Sequence, residues 1–234
     1  MERQTTNLAG YSTAIMRVLI IANGVQPAKE TVKSLALRSD VVIAVDGAVY
    51  AAVDAGLHPD IMTGDFDSVR LESVRAEFPK LRIVPTPDQD QSDLEKAVNI
   101  AHELGASSIT IIGAAGGRMD HTLANMALLL EVATPICIVD DFGTVQAARS
   151  DCEADSVVFL ETAVGDTVSL ITFDPNASVS ITGVKWPLSR CHLLPGTRGV
   201  SNVALGNAVQ TVVHKGAVFV CHLYEASIRE HSRF

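Results

Sequence analysis

The apolar positions of the first 140 residues fall in short unbroken runs rather than in alternation with polar ones. Residues 18–22, 41–45, 61–63, 81–84, 109–112 and 136–139 are such runs, rich in Val, Ile and Leu. Between them, residues 30–38, 48–55, 69–78, 94–104 and 122–131 carry helical periodicity. A strand that is apolar on both faces is buried on both faces, which is the state of a parallel strand covered by helices. Repeated strand–helix units of this kind predict an open, mainly parallel α/β sheet with helices on both faces.

From about residue 151 the pattern changes. Residues 157–160, 167–172, 178–181, 209–213 and 217–222 are strand-like. They are separated by turn signals such as Gly165-Asp166, Asp174-Pro175-Asn176, Pro195-Gly196 and Lys215-Gly216. No helix of convincing length interrupts them. Short strands at regular spacing predict an all-β C-terminal β-sandwich domain. The expected organisation is a flexible tail over residues 1–15, an α/β domain over 16–150 and a β-sandwich domain over 151–234, with the boundary between residues 144 and 156.

Composition narrows the function without naming it. The 234 residues carry a formal net charge of −9, and 47% of them are hydrophobic. That charge argues against a nucleic-acid or anionic-membrane binder, which needs a basic face. It leaves open a nucleotide held locally by a cation. The cysteines, Cys137, Cys152, Cys191 and Cys221, form no C-x-x-C pair. They read as buried free thiols of a reducing, cytoplasmic compartment. No apolar run approaches the roughly 18–20 residues of a membrane span.

In an open α/β sheet, ligands bind beyond the carboxyl ends of the strands. Four polar clusters fall at those places: Asp46-Gly47-Ala48, Gly64-Asp65-Phe66-Asp67-Ser68, the stretch from Pro85 to Asp93 with Gln89, Asp90 and Ser92, and the stretch from Gly113 to His121. Asp65, Asp67 and Asp93 are hard oxygen donors suited to Mg²⁺ on phosphate oxygens, since like-charged carboxylates repel unless a cation joins them. Gly113, Gly116 and Gly117 permit close approach of backbone to phosphate before a helix N-terminus. Arg118 offers a planar donor fork. The plainer reading stands beside each. Asp67 or Ser68 caps a helix, Ser92 and Glu95 form a capping box, Arg118 is a solvated loop residue, and His121 starts its helix. Lys96 falls on the polar face of its helix and reads as solvated.

Taken together these motifs resemble the thiamine pyrophosphokinase family. The resemblance rests on Asp46-Gly47-Ala48, the stretch from Pro59 to Ser68, the stretch from Thr86 to Asp93, and Gly116-Gly117-Arg118-Met119-Asp120-His121. It continues through Gly183-Val184-Lys185-Trp186-Pro187-Leu188 and Gly199-Val200-Ser201-Asn202. It implies a homodimeric enzyme that transfers the pyrophosphoryl group of ATP to the hydroxyl of thiamine, with Mg²⁺ required. It assigns Asp65, Asp67 and Asp93 to metal and phosphate, with Asp46 in the same pocket. Ser68, Gln89, Asp90, Ser92, Gly113, Gly116, Gly117, Arg118, Asp120 and His121 fall on the ATP side. Trp186, Ser201 and Asn202 fall on the thiamine side. An indole face suits a cationic ring, although a lone Trp is ordinarily a core residue.

Three rivals remain open at this level. One is a pyrophosphokinase for another alcohol, of the hydroxymethylpterin type. Another is a haloacid-dehalogenase-like phosphatase, whose D-x-D motif superficially resembles Asp65-Phe66-Asp67. The third is a silent thiamine- or nucleotide-binding protein.

Overall fold

The protein is described by a computed structural model over residues 15–66, 71–86 and 90–225. Its first part holds six parallel strands: β1 (Arg17–Ile21), β2 (Val41–Val45), β3 (Ile61–Gly64), β4 (Arg82–Pro85), β5 (Ser108–Ile112) and β6 (Ile136–Val139). They lie in the order β4-β3-β2-β1-β5-β6. Helices α1 (Lys29–Ala36), α2 (Ala48–Asp54), α3 (Leu71–Glu77), α4 (Asp93–Glu103) and α5 (Met119–Glu131) connect them.

The non-alternating strands have the physical cause expected of them. Leu19 and Ile21 pack against Val32 of α1 and Ala48 and Ala52 of α2 on one face. Val18 and Ile20 pack against Leu94, Ala97 and Ala101 of α4 and Leu128 and Leu129 of α5 on the other. The strand order reverses at β1: the chain moves outward through β2, β3 and β4, then returns to place β5 on the other side of β1. Such a reversal opens a crevice between loops that leave in opposite directions.

Beyond β6 the hydrogen-bonded network continues instead of ending. Strand β7 (Gly143–Ser150) turns back antiparallel to β6 and also pairs with the 16-residue strand β13 (Ala208–Leu223). The strands between are β8 (Ser156–Glu161), β9 (Thr167–Ile171), β10 (Ser178–Thr182), β11 (Leu188–His192) and β12 (Asn202–Val203). The first half of β13 pairs with β8 and β10, and its second half with β7 and β9. Two sheets thus share one strand, and their facing sides enclose a second core that includes Val158, Leu170, Val179, Ile181, Val209 and Val220.

This is a mixed sheet with helices, and it differs from expectation in its second half. The Lys215-Gly216 turn is a bend inside β13, not a break between two strands. Gly216 takes φ 73° there, and a Cβ on it would run into Asp174 and Ala177. The apolar pattern does not predict β7, β11 and β12; β7 and β11 mix polar and small residues and show no clean alternation. The thiols differ too: Cys152 is exposed, and Cys137, Cys191 and Cys221 are only partly buried, all four free. Desolvation still pushes the Cys137 and Cys221 thiols up to about 11.

One buried carboxylate–imidazole contact ties the end of β13 to the turn before β9. Asp166 Oδ2 accepts from the Ala163 amide at 2.8 Å and lies 2.7 Å from His222 Nε2, while Oδ1 accepts from the Glu225 amide. Both side chains are 7% exposed. Burial raises the Asp166 carboxyl, but these donors outweigh it and hold the group below the ordinary carboxylate range. The depressed value means that the stabilisation is present above the unfolded pKa and disappears as pH falls through the folded one. Asp166→Ala should cost about 3 kcal/mol at neutral pH by urea unfolding. The gap from wild type should close as pH falls below the ordinary carboxylate range; a gap independent of pH would contradict the ionic origin of the effect.

Candidate functional site

The reversal of strand order at β1 collects the expected clusters into one open cavity of about 590 Å³. Its lining includes Asp46 after β2, Asp65 after β3, Ser92 and Asp93 at the start of α4, and Gly113, Gly116, Gly117, Arg118 and His121 between β5 and α5. Asp90 and Asp120 do not line it, and Asp67, Ser68 and Gln89 lie outside the described residues.

Backbone geometry explains how the loops come so close. Asp46 and Phe66 take φ 46° and 62°, an uncommon left-handed conformation for residues with a side chain. Gly64 takes φ 151°, and a Cβ there would sit 3.2 Å from the Asp46 Cβ. At the crevice itself the Gly24 amide donates to the Gly113 carbonyl at 2.8 Å, and a Cβ on Gly24 would collide with that oxygen. Only glycine allows the loops after β1 and β5 to meet there.

The cavity places carboxylates and cations side by side. Ser92 caps α4, its Oγ accepting from the Glu95 amide at 3.2 Å. Lys96, expected on a solvated face, is instead 5% exposed and lines the cavity, with its Nζ 3.1 Å from Asp93 Oδ1. Leu94, Ala97 and Val98 of the same helix pack into the core, and the (i, i+3) pair faces the cavity that Asp46 and Asp65 also line. Arg118 is 72% exposed and gripped two-pronged by Asp120, Nε to Oδ1 at 3.1 Å and Nη2 to Oδ2 at 2.5 Å. That guanidinium holds the Asp120 carboxyl down at about 2.

Asn23, Gly24, Val25, Gln91, Lys96 and Asn125 also line the cavity, and the sequence motifs do not single them out. The signal for the first two was present: Asn23-Gly24 follows a buried run just as Asp46-Gly47 does. Asn125 donates from Nδ2 to the Ala114 carbonyl at 2.7 Å and so fixes α5 against the glycine loop.

Asp65 and Asp93 face one cavity with hard oxygen donors, which is the donor chemistry of Mg²⁺ shared with phosphate. Among the described residues no three carboxylate, imidazole or thiol groups converge on one point. Two carboxylates on one cavity fit a cation that also takes oxygens of a ligand.

A second cavity of about 320 Å³ lies in the β part, lined by Leu170, Leu188, Arg198, Trp186, Ser201 and Asn202 among others. It shares no lining residue with the first. Trp186 is 54% exposed, so it is not a core tryptophan. Asn202 clamps its backbone: Oδ1 accepts from the Trp186 amide at 3.1 Å and Nδ2 donates to the Trp186 carbonyl at 2.7 Å. Ser201, at φ 63°, donates its amide to Ser169 Oγ at 2.9 Å. The Lys185 ammonium lies 4.7 Å from the centroid of the indole.

Comparison with known proteins bears on both cavities. The family model for the catalytic domain of thiamin pyrophosphokinase matches residues 32–139, and that for its vitamin B1 binding domain matches residues 157–218. A thiamine pyrophosphokinase of Bacillus subtilis is 30% identical over 165 residues, covering 66% of this chain and 73% of that protein. Thiamin pyrophosphokinase 1 of Caenorhabditis elegans is 26% identical over 164 residues, covering 64% of this chain and 65% of that protein. The crystal structure of a Bacillus subtilis thiamine pyrophosphokinase superposes with a TM-score of 0.76 at 27% identity, over 89% of this chain and 99% of that one.

The Asn202 clamp is open to a direct test, because Trp186 is the only tryptophan. Asn202→Ala should lower stability by about 1 kcal/mol. It should also free the indole, seen as lower fluorescence anisotropy and stronger acrylamide quenching. Unchanged quenching would mean that the loop is held by something else.

Proposed function

The chain belongs to the thiamin pyrophosphokinase family, and from that premise we propose how its two cavities divide the reaction. The enzyme transfers the β,γ-pyrophosphoryl group of ATP to the hydroxyl of thiamine, giving thiamine diphosphate and AMP. The observation that carries this reading is the correspondence between cavities and family parts. The carboxylate, glycine and arginine cavity falls within the catalytic match, and the Trp186 cavity falls within the vitamin B1 match. A phosphatase using Asp65-Phe66-Asp67 gives the second cavity no task, and a pyrophosphokinase for a pterin alcohol leaves the vitamin B1 match of residues 157–218 unexplained.

In this assignment ATP occupies the first cavity. Asp65 and Asp93, with Asp67, would hold Mg²⁺, which would supply charge neutralisation on the phosphate oxygens. Asp46, Ser68, Gln89, Asp90, Ser92, Asp120 and His121 support the nucleotide side, and Gly113, Gly116 and Gly117 let the backbone approach it. Arg118, poised at the cavity rim, leaves Asp120 for the transferred group; an exposed ion pair gives way at little cost. Lys96 adds a second positive charge from below. Thiamine is a thiazolium cation and lies against Trp186, with Ser201 and Asn202 beside it. Its hydroxyl attacks the β-phosphorus in line, and Asp67 or Asp93 takes the proton. The chemistry asks mainly for positioning and charge neutralisation.

Since the two cavities share no residue, the working unit in this proposal is a homodimer in which the thiamine cavity of one chain faces the nucleotide cavity of its partner. The division near residue 150 separates the two roles. The net charge of −9 and the absence, among the described residues, of a helix long and apolar enough to cross a membrane accord with substrates that are small molecules, and we place the enzyme in the cytoplasm.

Mg-ATP and thiamine should give AMP and thiamine diphosphate by chromatography, whereas ADP and thiamine monophosphate would make the enzyme a simple kinase. Arg118→Ala should lower kcat by about 10³-fold with an unchanged urea midpoint; near-normal turnover would remove Arg118 from the reaction. Asp93→Asn and Trp186→Ala should each be inactive alone and regain activity when co-expressed as a mixed dimer. No recovery in verified mixed dimers would place both cavities of a site in one chain.

A further inference from the structure

We propose that Lys185 is a built-in competitor for the cationic ligand of the Trp186 cavity, a residue that sets affinity by occupying the indole before the ligand arrives. The inference rests on the reading above that thiamine meets Trp186, and adds a regulating charge that the reading does not contain.

Three observations carry it. The Lys185 ammonium lies 4.7 Å from the indole centroid, within cation–π range. Among the described residues no carboxylate forms an ion pair with it, although the chain has an acidic excess, so the ring is the electrostatic partner it has. The backbone on which both residues sit is fixed. The Lys185 amide donates to the Val203 carbonyl at 2.8 Å, Asn202 clamps both backbone groups of Trp186, and Val184 bridges to Ala204. The ring is therefore a held platform, and the ammonium rides on it at the end of a flexible stem.

A ring has one quadrupole to share. A second cation on the occupied face must displace Lys185. On the opposite face it meets a like charge across a single ring, and the attraction left for it is smaller. Displacement costs any ligand that takes the occupied face, whereas the like charge across the ring weakens a cation alone, so a cation loses more affinity than an uncharged aromatic of the same shape. The penalty is that of one exposed cation–π contact, about two- to fivefold in affinity. The same contact works in the other direction after turnover, since a returning ammonium helps to clear the ring.

The test uses the full chain and the fluorescence of its only tryptophan. Thiamine and its uncharged thiophene isostere are titrated, without ATP, into wild type, Lys185→Met and Lys185→Arg. Urea midpoints confirm that the variants fold. Lys185→Met should bind thiamine about two- to fivefold more tightly and the isostere by a smaller factor, and Lys185→Arg should stay as weak as wild type. Thiamine affinity that is unchanged or lower in Lys185→Met overturns the proposal. So does equal tightening toward both ligands, which would report a blocked ring face rather than a contest between charges. If thiamine does not alter Trp186 fluorescence in any of the three proteins while turnover is normal, the placement of thiamine itself falls, and the competitor with it.

Discussion

Parallel pairing of the six N-terminal strands is the constraint on which the rest of the structure depends. Strands that run the same way release their loops at the same edge, and the reversal at β1 spreads those loops into a crevice. Residues from 22 to 125 meet there, and most of those meetings are between segments distant in sequence. The demand that this arrangement makes is steric. Loops converging from four strands need glycine where they touch, at Gly24 against Gly113 and at Gly64 against Asp46. They also need left-handed backbone at Asp46 and Phe66, which only a well-packed scaffold can enforce. The strands supply it: Leu19, Ile20, Ile43 and Ile111 are fully buried just beneath the loops.

An edge that gathers carboxylates must also supply positive charge, and the protein does so in two different ways. Lys96 is buried and held by Asp93, so its charge belongs to the floor of the cavity and cannot leave. Arg118 is exposed and held by Asp120, so its charge is movable. A fixed cation keeps the acidic loops compatible with one another when no ligand is present. A movable one can follow charge as it develops on a transferred group without being desolvated twice. Elsewhere the Asp166–His222 pair shows a structural use of the same physics: a buried carboxylate surrounded by backbone donors.

The parallel half is legible in the sequence because burial on both faces leaves an unmistakable run of Val, Ile and Leu. Its site is legible because acidic and glycine-rich clusters recur at one strand end after another, where turn chemistry alone would scatter them. The β half is far less legible. In β13 the apolar alternation runs through Lys215-Gly216, a pair that ordinarily ends a strand, and only pairing with β8 and β10 on one side of the bend and with β7 and β9 on the other keeps it continuous. β7 carries Gln146, Arg149 and Ser150 because it lies between two strands and beside α5 rather than over a uniform core. Lys96 departs from its expected place for a related reason. Helical periodicity marks which residues share a face but not what that face meets, and here the charged side of α4 turns toward other charges.

The two cavities are built on opposite electrostatic principles, and this bears on how one enzyme can handle both a polyanion and a cation. In the first, recognition is ionic, with carboxylates set beside an ammonium and a guanidinium. In the second, recognition is aromatic: the lining is mostly apolar, an indole stands half exposed, and an ammonium already rests on it. A thiazolium drawn to the acidic first cavity would compete with the metal for Asp65 and Asp93. In the proposed assignment the indole attracts it without offering a carboxylate, so the cation would bind where it cannot strip the metal site. Separate cavities then follow from charge as much as from shape. In that assignment, bringing the hydroxyl to the phosphate would fall to the assembly of chains, not to a single pocket that would have to satisfy both charges at once.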